Sequence, residues 1–252
     1  MRRYHSLSNE EENIIDRKGT EKPWSGNFCA FAKPGVYLCR RCDAPLFLSS
    51  EKFDSPCGWP SFEHALKEAV LCRPDGDRTE IMCARCLAHL GHVFAETRTR
   101  HCVNSLSLAF APLYTEDGYE RAIVGAGCFW GVQKAYDGLS VVLRTCTGYI
   151  GGHVVEPSYK EVCTGETGHT ECVEVVFERG LYPNILDHFF EIHDSSHIYP
   201  TQYKSVLFYL SSQQKETIFE KIAYKLAEGY KVVTEVLPSS HFYLAEPEHQ
   251  HR

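Results

Sequence analysis

The sequence is poor in methionine, in positive charge and in long apolar runs. Only two methionines, Met1 and Met82, occur among 252 residues. The formal net charge of −7 excludes a broad electrostatic grip on nucleic acid or on an anionic membrane. No apolar run approaches the roughly 20 residues that cross a bilayer. The polar segment MRRYHSLSNEEENIID has no apolar centre, so it does not read as a secretory signal. Repeats and low-complexity tracts are also missing. What remains is a soluble globular chain of cytoplasmic type, for which 43% hydrophobic and 23% charged residues are ordinary.

What the chain has in quantity is cysteine, 12 in all. Without a secretion signal, and in a chain this long, that content points to metal binding or thiol redox chemistry rather than a disulfide scaffold. The length suits two domains. The polar stretch Tyr114–Glu120 reads as a linker, which gives domains over 1–113 and 121–252.

Before the linker, Ser8 and Glu11 form a capping-box pattern for a helix over Glu10–Lys18, with Gly19 as its stop. Short apolar runs follow at Gly35–Leu38, Leu46–Leu48 and Val103–Phe110, broken by turn formers. The expectation is a mostly-β domain. After the linker, strands near Arg121–Ala126, Val141–Tyr149, Cys172–Phe177, Val206–Leu210 and Lys231–Val236 alternate with helices over Gly131–Leu139, Ile185–His193 and Gln213–Glu228. That order contains the split βαβ, ferredoxin-like arrangement, so the whole reads as a two-domain α+β chain whose second domain is α/β.

Two CxxC pairs, Cys39/Cys42 and Cys83/Cys86, stand 40 residues apart. Each can present two thiolates from one tight turn, and together they complete a tetrahedron around zinc. Such a site is closed and therefore structural, a staple between distant segments. A dithiol redox motif is the competing reading, but two matched pairs favour the metal.

Two further cysteines stand in reactive settings. Arg98, Arg100 and His101 precede Cys102, and cationic neighbours favour a thiolate. A cysteine near basic residues is by itself more often incidental. Cys128 lies in GAGCFWG, after a strand and at the start of a helix, where free N–H groups and the helix dipole also favour the thiolate. Phe129 and Trp130 could cage a methyl group there, although taken alone they read better as core aromatics.

The motifs KGTEKPWSG, CRRC, CGWPSF, RTEI, CARC, HLGHVF and CVNSLSL make residues 4–110 resemble a B-type methionine sulfoxide reductase. The motifs GAGCFWG, GYIGG, PSYKEVC, TGHTE, FFEIHD, TQYKS and AEPEHQ make residues 121–250 resemble the A-type enzyme. For the first half the resemblance implies Cys102 as nucleophile for the R epimer and Cys57 as resolving cysteine. His89, His92 and Asn104, with Arg100, would hold or protonate the sulfoxide oxygen, and Trp59 would pack on the substrate methyl. For the second half it implies Cys128 as nucleophile for the S epimer, Glu171 as acid, and Tyr159 and Tyr203 as donors to the oxygen. On its own, Glu171 would read as a solvated surface group. The implied cofactor is one structural zinc with no organic group. The implied partners are oxidised proteins or free methionine sulfoxide, and a thioredoxin-like reductant.

The second half departs from its family in two ways. The stretch Asp194–Pro200 is shorter than the usual loop and lacks its aspartate. No cysteine follows Cys172, where many A-type enzymes carry resolving cysteines. Cys146, Cys163 and Cys172 are the candidates, with Cys146 preferred, since Cys163 and Cys172 read as small buried residues in or near strands; direct reduction of the Cys128 sulfenic acid by an external thiol is an equal alternative. The short loop motivates an alternative, a reductase for the R epimer only. A zinc-stabilised thiol sensor is a remoter one.

Overall fold

Ser8 opens the first helix as its sequence requires. Its side chain accepts from Glu11 N, and the Glu11 carboxylate accepts from Ser8 N. The helix α1 (Asn9–Ile15) is shorter than the capping pattern suggested. Lys18, at φ 59°, takes the left-handed position one residue before the glycine expected to fill it. The computed structural model describes residues 3–95 and 97–252 and divides into two units, Met1–Ala111 and Pro112–Arg252.

The first unit is mostly β. Its strands are β1 (Gly35–Cys39), β2 (Pro45–Leu48), β3 (Lys52–Phe53), β4 (Ser61–Phe62), β5 (Val70–Asp75), β6 (Arg78–Cys83), β7 (His89–Ala95), β8 (Thr99–Val103) and β9 (Leu108–Pro112). One sheet runs β3-β4-β8-β7-β6-β5 and a smaller one runs β2-β1-β9. Tyr37, Phe47 and Phe62 are fully buried between them, with Phe47 and Phe62 stacked at 4.4 Å.

The run Val103–Phe110, expected as one apolar stretch, is broken by a 3₁₀ turn at Ser105–Ser107. Local polarity causes the break. The buried Glu21 carboxylate accepts from Ser105 N and Leu106 N, and Ser107 Oγ donates to His89 O. These bonds compete with a continuous ladder.

Strand β7 carries the feature that aims the histidines. Ile81 pairs with Gly91 but Met82 pairs with His89, so one extra residue is accommodated at Leu90–Gly91. Without that bulge, residues three apart in a strand face opposite ways. With it, His89 and His92 share a face, their rings 5.6 Å apart. Gly91 sits at φ 152°, and a Cβ there would lie 2.0 Å from Cys102 O.

The second unit is built on β10 (Glu120–Ala126), β11 (Val142–Ile150), β12 (Thr170–Phe177), β13 (Ser205–Tyr209), β14 (Glu235–Pro238) and β15 (Tyr243–Leu244). Helices α2 (Phe129–Asp137), a short α3 (Tyr159–Cys163), α4 (Tyr182–Glu191) and α5 (Ser212–Ala227) intervene. The sheet order is β14-β13-β10-β12-β11-β15. The centre β13-β10-β12-β11 is the antiparallel split βαβ expected, with β14 added in parallel to β13. Ends shift by a few residues, and α3 and β15 went unread because both are too short to show a period. The last strand, expected over Lys231–Val236, is Glu235–Pro238. Within the stretch read as a linker, Tyr114 bridges to Glu120 and Arg179 lies over the Tyr114 ring.

Replacing Gly91 with Ala is expected to destabilise the first unit by on the order of 3 kcal/mol, through backbone strain and the clash with the Cys102 carbonyl. Urea unfolding followed by tryptophan fluorescence checks this. An unchanged midpoint would show that the bulge relaxes freely.

Candidate active sites and candidate metal centre

Two matching turns build the four-cysteine cluster. In the first, Cys39 N donates to Ala44 O and Asp43 N to Cys39 O. In the second, Cys83 N donates to Ala88 O and Leu87 N to Cys83 O. The fourth residue after each leading cysteine is left-handed, Asp43 at φ 55° and Leu87 at φ 62°. The ligand atoms of Cys39, Cys42, Cys83 and Cys86 all lie within 4.8 Å of one another. The Cys39–Cys86 and Cys42–Cys83 separations are 3.6 and 3.7 Å. A tetrahedral zinc with bonds of about 2.3 Å requires sulfurs about 3.8 Å apart, so the cluster fits that ion.

The first candidate site lies across three strands. Cys102 on β8 is registered opposite Ser61 on β4 and His92 on β7, so the three side chains share a face. Cys57 Sγ is 3.7 Å from Cys102 Sγ and 3.4 Å from Ser61 Oγ. The bulge brings His89 beside His92. His89 is buried, its Nδ1 is 2.8 Å from Glu80 Oε1, and its Nε2 has no partner. Glu80 is itself buried and also meets Lys18 and Arg73. His92 Nε2 lies 2.7 Å from Asp75 Oδ2. The Trp59 indole donates to Glu21 O, which fixes the ring. Both ends of the Asn104 amide reach backbone: Oδ1 accepts from Glu21 N and Nδ2 donates to Leu90 O. Asn104 thus ties two segments behind the site and keeps one N–H for another partner.

The electrostatics differ from the reading of the Arg98–Cys102 segment. Strand alternation turns His101 away from Cys102, onto Phe47, and Arg98 pairs with Glu63. Arg100, on the Cys102 face, stacks on Phe94 and is the one flanking base that lowers the Cys102 pKa. It does not suffice. Burial, with the adjacent Cys57, pushes the Cys102 thiol up to about 12. Burial acts on Cys57 in the same sense, but bonds from Ser55, Ser61 and the Trp59 backbone outweigh it and bring that thiol down to about 7. The two sulfurs form one titrating pair, and its first proton leaves near 7.

The second candidate site lies at the start of α2. Gly127, at φ 92°, turns the chain out of β10 and makes the exposed Cys128 the N-cap. The next N–H, of Phe129, donates to Glu171 Oε2 at 3.2 Å. Glu171 is 1% exposed, so it is no surface group. Burial raises its pKa, opposed by bonds from Gln202 and Phe129 N. Burial pushes the Tyr203 pKa up, and Glu171, Cys128 and Cys163 act on it in the same sense.

Several residues of this site went unread although their motifs were noted. Gln202, inside TQYKS, donates to Glu171 Oε1 at 2.8 Å and lies 3.4 Å from Cys163 Sγ. The shortened Asp194–Pro200 stretch therefore still delivers a donor to Glu171. Inside AEPEHQ, Glu246 accepts from Tyr149 OH and Tyr159 N, and the buried His249 ring packs on Tyr159, Trp130 and Phe129. Phe129 is 1% exposed and Trp130 half-buried.

The remaining cysteines sort by face. Cys146 pairs with Glu174 and Tyr149 with Glu171, three positions on, so Cys146 points to the opposite face of the sheet from Glu171. This corrects its choice as resolving residue, because the sheet stands between it and Glu171. Cys172 is fully buried on that far face. Cys163, expected to be buried, is exposed at the end of α3. In the first unit Cys29 Sγ donates to Gly58 O, and Cys72 is exposed on β5.

Comparison with known proteins matches residues 7–112 to the SelR domain and residues 120–251 to the family described as peptide methionine sulfoxide reductase. The peptide methionine sulfoxide reductase B5 of Arabidopsis thaliana is 48% identical over 114 residues, covering 42% of this chain and 82% of that protein. The peptide methionine sulfoxide reductase MsrA of Methanosarcina acetivorans is 41% identical over 150 residues, covering 53% and 77%. Among solved structures, Mxr1 from Saccharomyces cerevisiae in reduced form matches with a TM-score of 0.51 at 29% identity, over 55% of this chain and 86% of that one.

Alkylation of the reduced chain should modify Cys57 with a midpoint near pH 7, while Cys102 lags until far more alkaline pH. Peptide mapping after iodoacetamide pulses checks the order. Faster labelling of Cys102 at neutral pH would reverse the assignment of the charge.

Proposed function

We infer the roles of individual residues from a plain premise: this chain belongs to the methionine sulfoxide reductases, a SelR domain followed by a peptide methionine sulfoxide reductase domain, and is bifunctional. The domain boundaries we propose are 1–113 and 121–252. The first domain reduces the R epimer at Cys102 and the second the S epimer at Cys128. One enzyme type per epimer is the rule for sulfoxide repair.

The 3.7 Å approach of Cys57 to Cys102 carries the reading of the first site. The Cys102 sulfur attacks the sulfoxide sulfur, the S–O bond breaks, methionine leaves, and Cys102 becomes a sulfenic acid. The oxygen must be protonated as it transfers. His89, with a free Nε2, and His92 stand on the Cys102 face to hold it. Asn104 supplies its remaining N–H, Arg100 adds charge, and Trp59 packs on the methyl. Cys57, already inclined to ionise, then attacks the sulfenic sulfur. A disulfide and water form. A thioredoxin-like dithiol returns both thiols by exchange.

At the second site Cys128 attacks in the same way. Glu171, whose carboxyl is pushed toward the protonated form by burial, gives up the proton. Tyr159 and Tyr203 donate to the oxygen, and Phe129 with Trp130 receives the methyl. Substrates are oxidised proteins or free methionine sulfoxide. The four-cysteine cluster holds a structural zinc that takes no part in the chemistry, and no organic cofactor is called for. Free thiols in this number fit a reducing compartment such as the cytoplasm. Among the described residues no helix is long and apolar enough to cross a membrane.

Turnover of each epimer with dithiothreitol tests the division. Cys102→Ser should abolish R turnover alone and Cys128→Ser S turnover alone. R turnover without S turnover in the wild type would limit activity to the first domain. Glu171→Gln should lower S turnover about 100-fold and leave R turnover unchanged, the scale of a lost general acid. Metal analysis should give one zinc per chain, lost together with the first domain's stability in Cys39→Ser; a metal-free chain with unchanged melting would remove the zinc.

A further inference from the structure

We propose that Cys163 is the resolving thiol of the second site. The inference rests on Cys128 forming a sulfenic acid, as above. Of the cysteines in this unit, Cys146 and Cys172 lie on the far face of the sheet. Cys163 and Cys128 are both exposed, and both act on Tyr203. A continuous set of hydrogen bonds joins them. Phe129 N, the first amide after Cys128, donates to Glu171, and Gln202 donates to the other oxygen of the same carboxylate. The Gln202 amide also donates to Cys163 Sγ at 3.4 Å. Cys163 also lies one helical turn after Tyr159 and pushes that hydroxyl's pKa up. The thiol therefore sits among the groups proposed to handle the sulfoxide oxygen, and not in the core.

Its support also suits a thiol that must travel. A disulfide needs sulfurs about 2.05 Å apart and Cβ atoms about 3.8 Å apart, so Cys163 has to leave its present contacts. The helix α3 has five residues, anchored at its start by the Ser158–Glu161 capping box and by Tyr159 N on Glu246. Val162 is fully buried and holds the helix to the core, so it is only from Cys163 onward that the chain lies outside it. Cys163 is the last helical residue, and residues 163–166 are exposed, with Gly165 at φ 75°. A helix this short is marginal, so fraying it at Cys163, beyond the buried Val162, costs little. The Cys163 sulfur attacks the Cys128 sulfenic sulfur as an S–S bond forms and the S–O bond breaks. The departing hydroxyl already carries one proton and takes one more to leave as water. Glu171, reprotonated from solvent, is placed to give that proton, while the Cys163 thiol proton goes to solvent. An external dithiol then supplies two electrons and two protons to restore both thiols.

The test uses the full chain with Cys102→Ser, which silences the first site. One equivalent of hydrogen peroxide, or of S-sulfoxide, is added without reductant, and the products are mapped by mass spectrometry with dimedone as a sulfenic acid trap. The expected product is a Cys128–Cys163 disulfide. Adding Cys163→Ser should convert it to a dimedone adduct on Cys128 and lower thioredoxin-supported S turnover about tenfold or more, as loss of the exchange partner requires. Cys146→Ser should leave the disulfide in place. A dimedone adduct on Cys128 with Cys163 intact, or a disulfide to any other cysteine, overturns the proposal. Because peroxide makes the sulfenic acid without turnover, a missing disulfide sinks this inference, while failure of S-sulfoxide to yield methionine sinks the reading beneath it.

Discussion

Four thiol sulfurs held within 4.8 Å of one another are the constraint on which the first domain depends. Uncharged, they would waste four weak partners on each other; charged, they would repel. A divalent cation resolves both problems at once, and its bond energy then becomes folding energy. The cluster joins the β1–β2 corner to the β6–β7 corner, and β7 leads directly to His89 and His92. A metal held just before the start of that strand would therefore set the position of the histidines that open it. A domain of roughly this size with short strands has a modest core, so a staple of this kind is what lets polar groups such as Glu21, Glu80 and Asn104 be buried without loss of order.

The two sites treat the same leaving oxygen with different means. In the first, the proposed nucleophile is carried on a strand and its partner thiol lies 3.7 Å away, so charge is shared between two sulfurs. In the second, the proposed nucleophile caps a helix and the acid is fastened to the next amide. The first arrangement settles the disulfide partner before any oxidation occurs. The second keeps the proton donor close and leaves the disulfide partner to be recruited.

Much of this was legible in the residues. The CxxC pairs, the split βαβ order and the positions of Cys102 and Cys128 all follow from local spacing or from motifs that are contiguous in the chain. What was not legible depends on parity and distance. Whether Cys146 shares a face with Glu171 cannot be read until the register of β11 on β12 is known, since one step of slippage would exchange the faces. The charge on Cys102 was misjudged for the same reason: three neighbours in sequence became one in space once alternation turned His101 away. Gln202, Glu246 and His249 lay inside noted motifs, but their partners are 31 to 120 residues distant and only the fold brings them together.

The extra residue at Leu90–Gly91 has a consequence for how this domain can change over time. Loops such as the tip at Gly76 can gain or lose residues at little cost, because their length enters stability only slowly. Strand β7 has no such freedom. Straightening the ladder with every residue kept would slip the register by one and point His89 away from His92, whereas losing the extra residue as well would leave them two apart on one face. Lineages can therefore vary the edges of this domain freely, while the extra residue of β7 and the bulge that absorbs it have to be kept, or lost, together.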